Sequence, residues 1–246
     1  MYLVQTAHPQ FLGLLLGCLA WIFVMITTGL NEWRLWYLDV GNTSVITSGV
    51  AWVGIWRACF YSHVLAKVEN CQSISIAAPF APAEIPVAQV LMMLAVVAGL
   101  VANICGAVAM RLVYFSVADR RNMRLVFVLA GMLYLLTSGL CLVPLLWNIN
   151  SVAKNNTIDF PQEFQLPSAP VRQQIGSAIG VGIFASVLSL ISGLLFLSYR
   201  YVCRSLRSQE PRDTGEPVLG PQTKTSLHSS HLDTICIVKN KACDGR

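Results

Sequence analysis

Charged residues are scarce in this sequence. Asp, Glu, Lys and Arg together make up 12% of its 246 residues, about half the fraction that is usual in soluble domains. Four long stretches contain none of them except at their rims. This shortage argues against an ordinary soluble domain and makes a membrane protein the leading class.

The sequence also lacks the motifs of enzymes and metal proteins. It contains no hydrolase nucleophile elbow, no phosphate-binding loop and no cluster of metal ligands. Its apolar stretches carry none of the intramembrane charges that mark a transporter pathway. We therefore expect no enzymatic activity, no cofactor and no metal site.

Long apolar runs are what the sequence has instead. Each run has about the 20 residues that a helix needs to cross a hydrocarbon layer roughly 30 Å thick. We predict four transmembrane helices, at about residues 11–30, 87–110, 125–147 and 175–199. The first run has no Lys or Arg before it and no small-x-small cleavage site after it, so we interpret it as a retained span rather than a secretory signal.

The arginines near the membrane predict the orientation. They cluster between spans two and three and directly after span four, which makes both segments and both termini cytoplasmic by the positive-inside rule. Residues 31–86 and 148–174 are then extracellular loops. The inside segments hold 12 basic and 6 acidic residues and the outside loops 5 and 6, so the basic excess indicates topology and contact with anionic membrane lipid. We expect no nucleic acid partner.

The end of the chain differs in composition from the rest. From about residue 206 to residue 246 it is rich in Ser, Thr, Pro, Gly and charge, which predicts a disordered cytoplasmic tail after a membrane domain at 1–205. Cys203 lies just after the last span, beside Arg204, and is a candidate palmitoylation site. The alternative is an unmodified thiol at the membrane interface.

Two of the eight cysteines, Cys59 and Cys71, fall in the predicted extracellular loops. Because the other six lie in spans or on the cytoplasmic side, these two are each other's only intrachain partner in an oxidising compartment, and we predict a disulfide. Free thiols are the alternative. The same loops hold two N-glycosylation sequons, at Asn42 and Asn155, which are candidate glycan sites.

The first extracellular loop has the pattern of a small antiparallel sheet. Trp33, Leu35 and Tyr37 alternate with polar residues, and residues 45–56 are rich in β-branched and aromatic side chains. Residues 71–76 alternate again. We predict short strands in these segments and an added edge strand at 157–164. Trp33, Trp52 and Trp56 are then either the core of this sheet or anchors at the membrane interface.

A short motif in this loop resembles the claudin signature, which places a Trp after the first span, then Gly-Leu-Trp, then two cysteines. Peripheral-myelin and epithelial-membrane-protein relatives and glutamate-receptor auxiliary subunits share this signature. The loop lengths and the four spans match as well. The motif here consists of Trp33, Gly54, Ile55, Trp56, Cys59 and Cys71.

The second loop favours the claudins within this wider superfamily. Residues 162–167, QEFQLP, resemble the claudin Gln-Glu-Phe-Tyr-x-Pro turn, and residues 110–121 resemble the claudin cytoplasmic loop. The resemblance covers about residues 8–205. It implies a mainly α membrane protein, with a left-handed bundle of four transmembrane helices and a small extracellular antiparallel β-sheet. It also implies that Phe164 and Pro167 belong to a contact surface of the second loop.

Several positions depart from the claudin pattern. Ile55 replaces Leu, Gln89 stands where claudins generally have Arg, and Gln165 replaces an aromatic residue implicated in contact between cells. The last four residues, Cys-Asp-Gly-Arg, lack the terminal Tyr-Val that binds PDZ domains. We therefore expect a divergent claudin that does not bind PDZ scaffolds through its C-terminus.

The resemblance implies a structural role at the tight junctions of the plasma membrane. Claudins polymerise side by side in one membrane and contact the next cell, with themselves and other claudins as partners. Phe60 and Gln72 follow the two cysteines, where strongly selective members often carry charge, so we expect a barrier that is weakly or not charge-selective. Arg57 and Lys67 either favour anions mildly or are ordinary surface charges. The alternative function is an auxiliary or trafficking subunit of another membrane protein.

Overall fold

Four long helices dominate the computed structural model, which describes residues 8–38, 46–62, 69–115, 120–161, 164, 166 and 170–208. All four are long and apolar enough to cross a membrane, which confirms the four predicted spans. Two of them, the second and the third, extend beyond the predicted apolar runs at both ends. They are α1 (His8–Gly29), α2 (Glu84–Phe115), α3 (Arg120–Ala153) and α4 (Ser177–Ser208).

The helices pack into one bundle, in which α1 lies against α2 and α4, and α3 also lies against α2 and α4. Glycines allow α3 and α4 to approach closely: a Cβ atom on Gly131 would lie 3.1 Å from the Gly193 carbonyl oxygen. Small residues are typical of helix contacts in membranes for this reason. Large aliphatic side chains such as Leu12, Val97 and Leu129 are about half exposed on the outside of the bundle, as expected of a surface that faces lipid.

A five-stranded antiparallel sheet lies at one end of the bundle, here called the sheet end. The strand order is β4-β3-β2-β1-β5, so β4 and β5 are the outermost strands. The first four strands come from the first loop, for which short antiparallel strands were predicted, and the fifth precedes α4. The strands are β1 (Arg34–Tyr37), β2 (Ile46–Val53), β3 (Arg57–Ser62), β4 (Glu69–Ser73) and β5 (Arg172–Ile175).

The predicted edge strand at residues 157–164 was wrong. The fifth strand is Arg172–Ile175, which pairs with β1, whereas residues 157–161 form no strand. The alternation of that segment is real, because Ile158 and Phe160 are buried and Asp159 is exposed. The apolar side chains of this segment pack over the sheet, but its backbone pairs with no strand. The sequence of β5 is polar and therefore gives no strand signal.

The core of the sheet is aromatic. Trp36 is fully buried, and its ring centroid lies 5.3 Å from that of Phe160. Phe160 and Phe164 are 5.2 Å apart, and Phe80 lies 5.2 Å from Phe164. Such edge-on and tilted pairs add about 0.5–1.5 kcal/mol each beyond the area that they bury. Segments before α2 and after α3 therefore close over one face of the sheet.

A second cluster of buried residues, here called the seat, joins the sheet to the helices. Trp33 and Ile55, each 1% exposed, lie with Val24 of α1, Ala88 of α2 and Leu145 of α3 in this cluster. Ala178 and Ile179 of α4 complete it. Because every helix contributes, the sheet is seated on the whole end of the bundle rather than hinged from one helix.

Candidate functional site: the sheet and its seat on the bundle

The predicted disulfide is present and joins two neighbouring strands. Cys59 of β3 and Cys71 of β4 are directly opposite each other in the strand register, with their Cα atoms 4.1 Å apart and their sulfur atoms bonded. The bond therefore fixes the outermost strand β4 to the rest of the sheet. In the chain-entropy view, closing a loop of this length stabilises the fold by about 3 kcal/mol.

The Gly of the signature is required by a close backbone approach. A Cβ atom at Gly54 would lie 2.8 Å from the Cα atom of Asn31 and 3.2 Å from the Arg57 carbonyl oxygen. The Gly54 amide donates a hydrogen bond to that same carbonyl oxygen, at 2.8 Å. Gly54 thus lets the turn between β2 and β3 lie against the chain leaving α1.

The signature tryptophans differ in burial. Trp33 is 1% exposed, and its indole N–H donates to the Thr27 carbonyl oxygen at 3.1 Å, which ties β1 to the last turn of α1. Trp56 is half-buried against the same cluster, and Trp52 is half-buried on β2. Trp33 is therefore a core residue of the seat, whereas the sheet core contains Trp36.

A buried ion pair also links the sheet to the bundle. The Arg34 guanidinium donates from Nη2 to Glu84 Oε1 at 3.2 Å, and the two side chains are 2% and 8% exposed. Arg34 also donates from Nη2 and Nε to Asn148 Oδ1, at 2.7 and 3.1 Å. The Ser151 hydroxyl donates to Glu84 Oε1 at 2.6 Å. Burial lowers the pKa of Arg34, and its bond to Glu84 opposes this shift.

These four side chains come from three parts of the chain. Arg34 belongs to β1, Glu84 begins α2, and Asn148 and Ser151 lie one turn apart near the end of α3. A charged group removed from water must be paired and hydrogen-bonded, or the desolvation cost is large. The network therefore holds the sheet in one position relative to α2 and α3.

Gln89, at the position where claudins generally have Arg, bridges two loops in this chain. Its side chain is fully buried, and its Nε2 group donates to the carbonyl oxygens of Ile55 and Ile74, at 2.7 and 3.0 Å. One loop joins β2 to β3 and the other follows β4. A neutral amide thus supplies two donors from α2 without burying a second cation.

One of the two residues predicted for a contact surface of the second loop has a buried side chain. Phe164 is 6% exposed and packs in the sheet core, so its side chain shapes the loop from within. Pro167 lies outside the described residues. Exposed apolar side chains among the described residues of this end include Val171, 75% exposed, Ile76, 54% exposed, and Ile175, 47% exposed.

The candidate modification sites are described unequally. Asn155 is exposed directly after α3, in the left-handed region with φ 52°, a conformation that Asn tolerates better than most residues. Its sequon partners Asn156 and Thr157 are exposed too. Asn42 lies outside the described residues. Cys203 lies in the last part of α4, where the structure describes the helix but not the side chain.

Three important residues escaped the sequence reasoning: Trp36, Glu84 and Asn148. Trp36 was missed because the alternation was counted from Leu35 and Tyr37, which lie on the opposite face of the strand. Glu84 is visible as the acidic residue at the rim of the second apolar run. No signal in the sequence pairs it with Arg34, fifty positions earlier.

Comparison with known proteins agrees with this geometry. The sequence model of the family described as PMP-22/EMP/MP20/Claudin tight junction matches residues 18–198. Claudin-5 of Homo sapiens is 30% identical over 208 residues, covering 80% of this chain and 85% of the relative. Claudin-14 of Mus musculus is 29% identical, covering 85% and 80%. Claudin-2 of Homo sapiens is 27% identical, covering 91% and 96%.

Proposed function

Because this chain belongs to the PMP-22/EMP/MP20/claudin tight junction family, we propose that it is a structural protein that forms a paracellular barrier. It is a multi-pass membrane protein with a claudin role at tight junctions. Copies polymerise side by side in one membrane, and their sheets contact those of the neighbouring cell. The observation that carries this proposal is the buried contact between the sheet and all four helices, which presents the sheet and its outermost strands β4 and β5 at one end of the bundle.

The orientation in the membrane is part of the proposal. With the arginine-rich segments in the cytoplasm, both termini are cytoplasmic and the sheet end is extracellular. The disulfide between Cys59 and Cys71 supports this orientation, because disulfides persist in oxidising compartments. Of the two candidate glycan sites, Asn155 lies at the sheet end, and Asn42 belongs by sequence to the loop predicted to be extracellular.

Contact between copies in one membrane is supported by the exposed apolar residues of the sheet end. Val171 precedes the outermost strand β5, Ile175 is its last residue, and Ile76 follows β4. Apolar side chains exposed above the span would be buried when copies associate. Phe164 supports the loop that lies over the sheet core.

The charges at the sheet end support weak selectivity. The position after the first cysteine is Phe60, which is 1% exposed and so presents neither charge nor surface to a pore. The exposed charges described here are Arg57, Lys154 and Arg172, against Asp159. Scattered single charges of both signs do not make the ring of like charge that selects ions strongly. Lys67 lies outside the described residues.

Freeze-fracture microscopy of transfected cells tests the proposal. We expect the full chain, expressed in cells without tight-junction strands, to concentrate at contacts between two expressing cells and to form fibrils. Val171→Asp should reduce the fibrils strongly, because it places a charge in the apolar contact surface. Asn156→Asp is the matched control, since Asn156 is an exposed polar residue outside β4 and β5 and this change keeps the sequon. Uniform plasma-membrane distribution without fibrils would contradict the proposal.

The alternative role as an auxiliary or trafficking subunit finds no support. The relatives reported above are claudins, and no described feature of the sheet end favours a different membrane protein as its partner. The claudin role therefore stands as the proposed function.

A further inference from the structure

We propose that the bundle end opposite the sheet binds the phosphorylated headgroup of an inner-leaflet inositol lipid. The proposal starts from composition. Residues 111–124 and 199–208 together contain seven arginines and no lysine, with Asp119 as the one acidic residue. Arginine binds phosphate through two parallel N–H donors, which lysine cannot match. Clusters of four to eight basic residues directly beside a span are typical of sites for anionic lipid headgroups.

The packing of the bundle brings these arginines to one level. Phe127 of α3 and Phe196 of α4 are buried with their ring centroids 5.8 Å apart, and Met110 of α2 is buried in the same cluster. Arg124 precedes Phe127 by three residues, Arg200 follows Phe196 by four, and Arg111 follows Met110. At a rise of about 1.5 Å per residue, all three lie within roughly one turn of the cluster, on the side away from the sheet.

Two of these arginines are described in full, and both are exposed. Arg111 and Arg124 form no ion pair with any residue in the described part of the chain. Both side chains lie on the surface of this end of the bundle, where a ligand has access to them. Arg120 and Arg121 begin α3 beside Arg124, and the structure describes the helix there but not these two side chains.

The end of α4 continues the basic surface beyond the membrane. The apolar run of this helix ends in the sequence at residue 199, before Arg200, and the helix continues to Ser208, about 14 Å further at 1.5 Å per residue. With about 100° between successive residues, Arg200, Arg204 and Arg207 fall within a stripe roughly 60° wide. The apolar residues Tyr199, Val202 and Leu206 occupy a separate stripe. This arrangement is typical of a helix at a charged lipid surface.

The site fits a membrane lipid better than a free phosphate compound. The arginines lie at the level where the spans leave the hydrocarbon layer, which is the level of lipid headgroups. A headgroup with several phosphates provides enough acceptors for arginines from α2, α3 and α4 at once. Free inositol phosphates share this chemistry, but they lack the acyl chains that hold the headgroup at that level.

Native mass spectrometry of the full chain released from lipid nanodiscs tests the proposal. Three nanodisc compositions are compared: phosphatidylcholine alone, and phosphatidylcholine with an equal fraction of phosphatidylserine or of a bisphosphorylated inositol lipid. We expect retained adducts of the inositol lipid, at least tenfold more abundant than those of phosphatidylserine. Equal retention of the two acidic lipids would overturn the proposal, because it would indicate general charge attraction only.

Variants locate the site. R111Q/R124Q/R200Q should lose inositol-lipid adducts at least tenfold, whereas R57Q/K154Q/R172Q, which removes three positive charges at the sheet end, should retain them. Equal loss in both would overturn the proposal. If the first triple variant does not fold, its three single variants should each give a partial loss, and unchanged binding in all of them would also overturn the proposal. Excess soluble inositol trisphosphate should not displace the lipid; full displacement would contradict a lipid site.

The assignment to the inner leaflet rests on the proposed orientation. Nanodiscs expose both membrane faces, so this experiment reports the headgroup site whichever way the chain sits in a cell. Protease protection of the C-terminus in sealed vesicles tests the orientation separately. Failure of one result is therefore distinguishable from failure of the other.

Discussion

Arg34 of β1 and Glu84, the first residue of α2, form a buried ion pair whose nitrogen and oxygen atoms lie 3.2 Å apart. The pair connects the sheet to the bundle across fifty positions of sequence. Asn148 and Ser151 of α3 hydrogen-bond to its two members. The position of the sheet, on which the proposed barrier depends, therefore rests on a polar network rather than on apolar packing alone.

Removing one partner of this pair should destabilise the protein strongly. R34A or E84A leaves an unpaired buried charge, which costs about 3–5 kcal/mol. R34M/E84L replaces both charges with apolar groups and should recover much of that loss. Thermal unfolding of the purified chain in detergent measures these effects. Losses that simply add in the double variant would contradict the pairing.

Replacing either cysteine of the disulfide should lower the stability of the protein by the same amount. C59S, C71S and the double variant should each lower the free energy of unfolding by about 3 kcal/mol, because each removes the same bond. Unfolding of the wild-type chain in reductant should match the variants. C18S is the control, since Cys18 of α1 is a free and exposed cysteine. A double variant that loses clearly more than either single variant would count against a shared bond.

Two glycines are predicted to tolerate no side chain. A Cβ atom at Gly54 would press on the Asn31 backbone, and one at Gly176 would overlap the Glu32 carbonyl oxygen. G54A and G176A should therefore reduce both stability and delivery to the cell surface. G139A is the matched control, because a Cβ atom there has open space and Ala favours a helix by up to about 1 kcal/mol. Surface biotinylation and thermal unfolding compare the three; an equal response to all three would exclude the steric explanation.

We expect the stability of the protein to depend on the two N–H donors of the Gln89 side chain. Q89L removes hydrogen bonds to two carbonyl oxygens, and each buried acceptor left unsatisfied costs about 1–3 kcal/mol. Q174L is the comparison: Gln174 accepts a single, half-buried hydrogen bond from the Tyr37 hydroxyl, so its loss should be smaller. Thermal unfolding in detergent measures both. A Q89L midpoint equal to that of the wild-type chain would refute the bridging role.

The sequence predicted the features that rest on local patterns. The four apolar runs form four helices, and the two cysteines in the predicted outer loops form a disulfide. Both predictions rest on properties of single segments, namely the hydropathy of each run and the compartment of each loop. β1 and β2 lie in segments predicted from alternation and from β-branched and aromatic composition. β4 overlaps the predicted segment 71–76 by three residues, and β3 lies outside the predicted segments. These signals need no knowledge of distant contacts.

Features that depend on distant partners were not predictable. Alternation in β1 favoured Leu35 and Tyr37 as the inner face, but Arg34, Trp36 and Leu38 are the buried residues. A rule that places charge outside fails here because Arg34 is neutralised by Glu84 from another element. The fifth strand was missed for a related reason: its polar residues are ordered by pairing with β1 and not by their own hydrophobicity.

Paracellular conductance is the most direct test of the central claim, that the seated sheets of adjoining copies form a barrier between cells. The full chain is expressed in a claudin-depleted epithelium, and transepithelial resistance and dilution potential are recorded, with C59S/C71S as the comparison. We predict higher resistance, a dilution potential close to that of free solution, and loss of both effects in the variant. Resistance unchanged from that of the depleted epithelium, with the chain at the cell surface, would contradict the account.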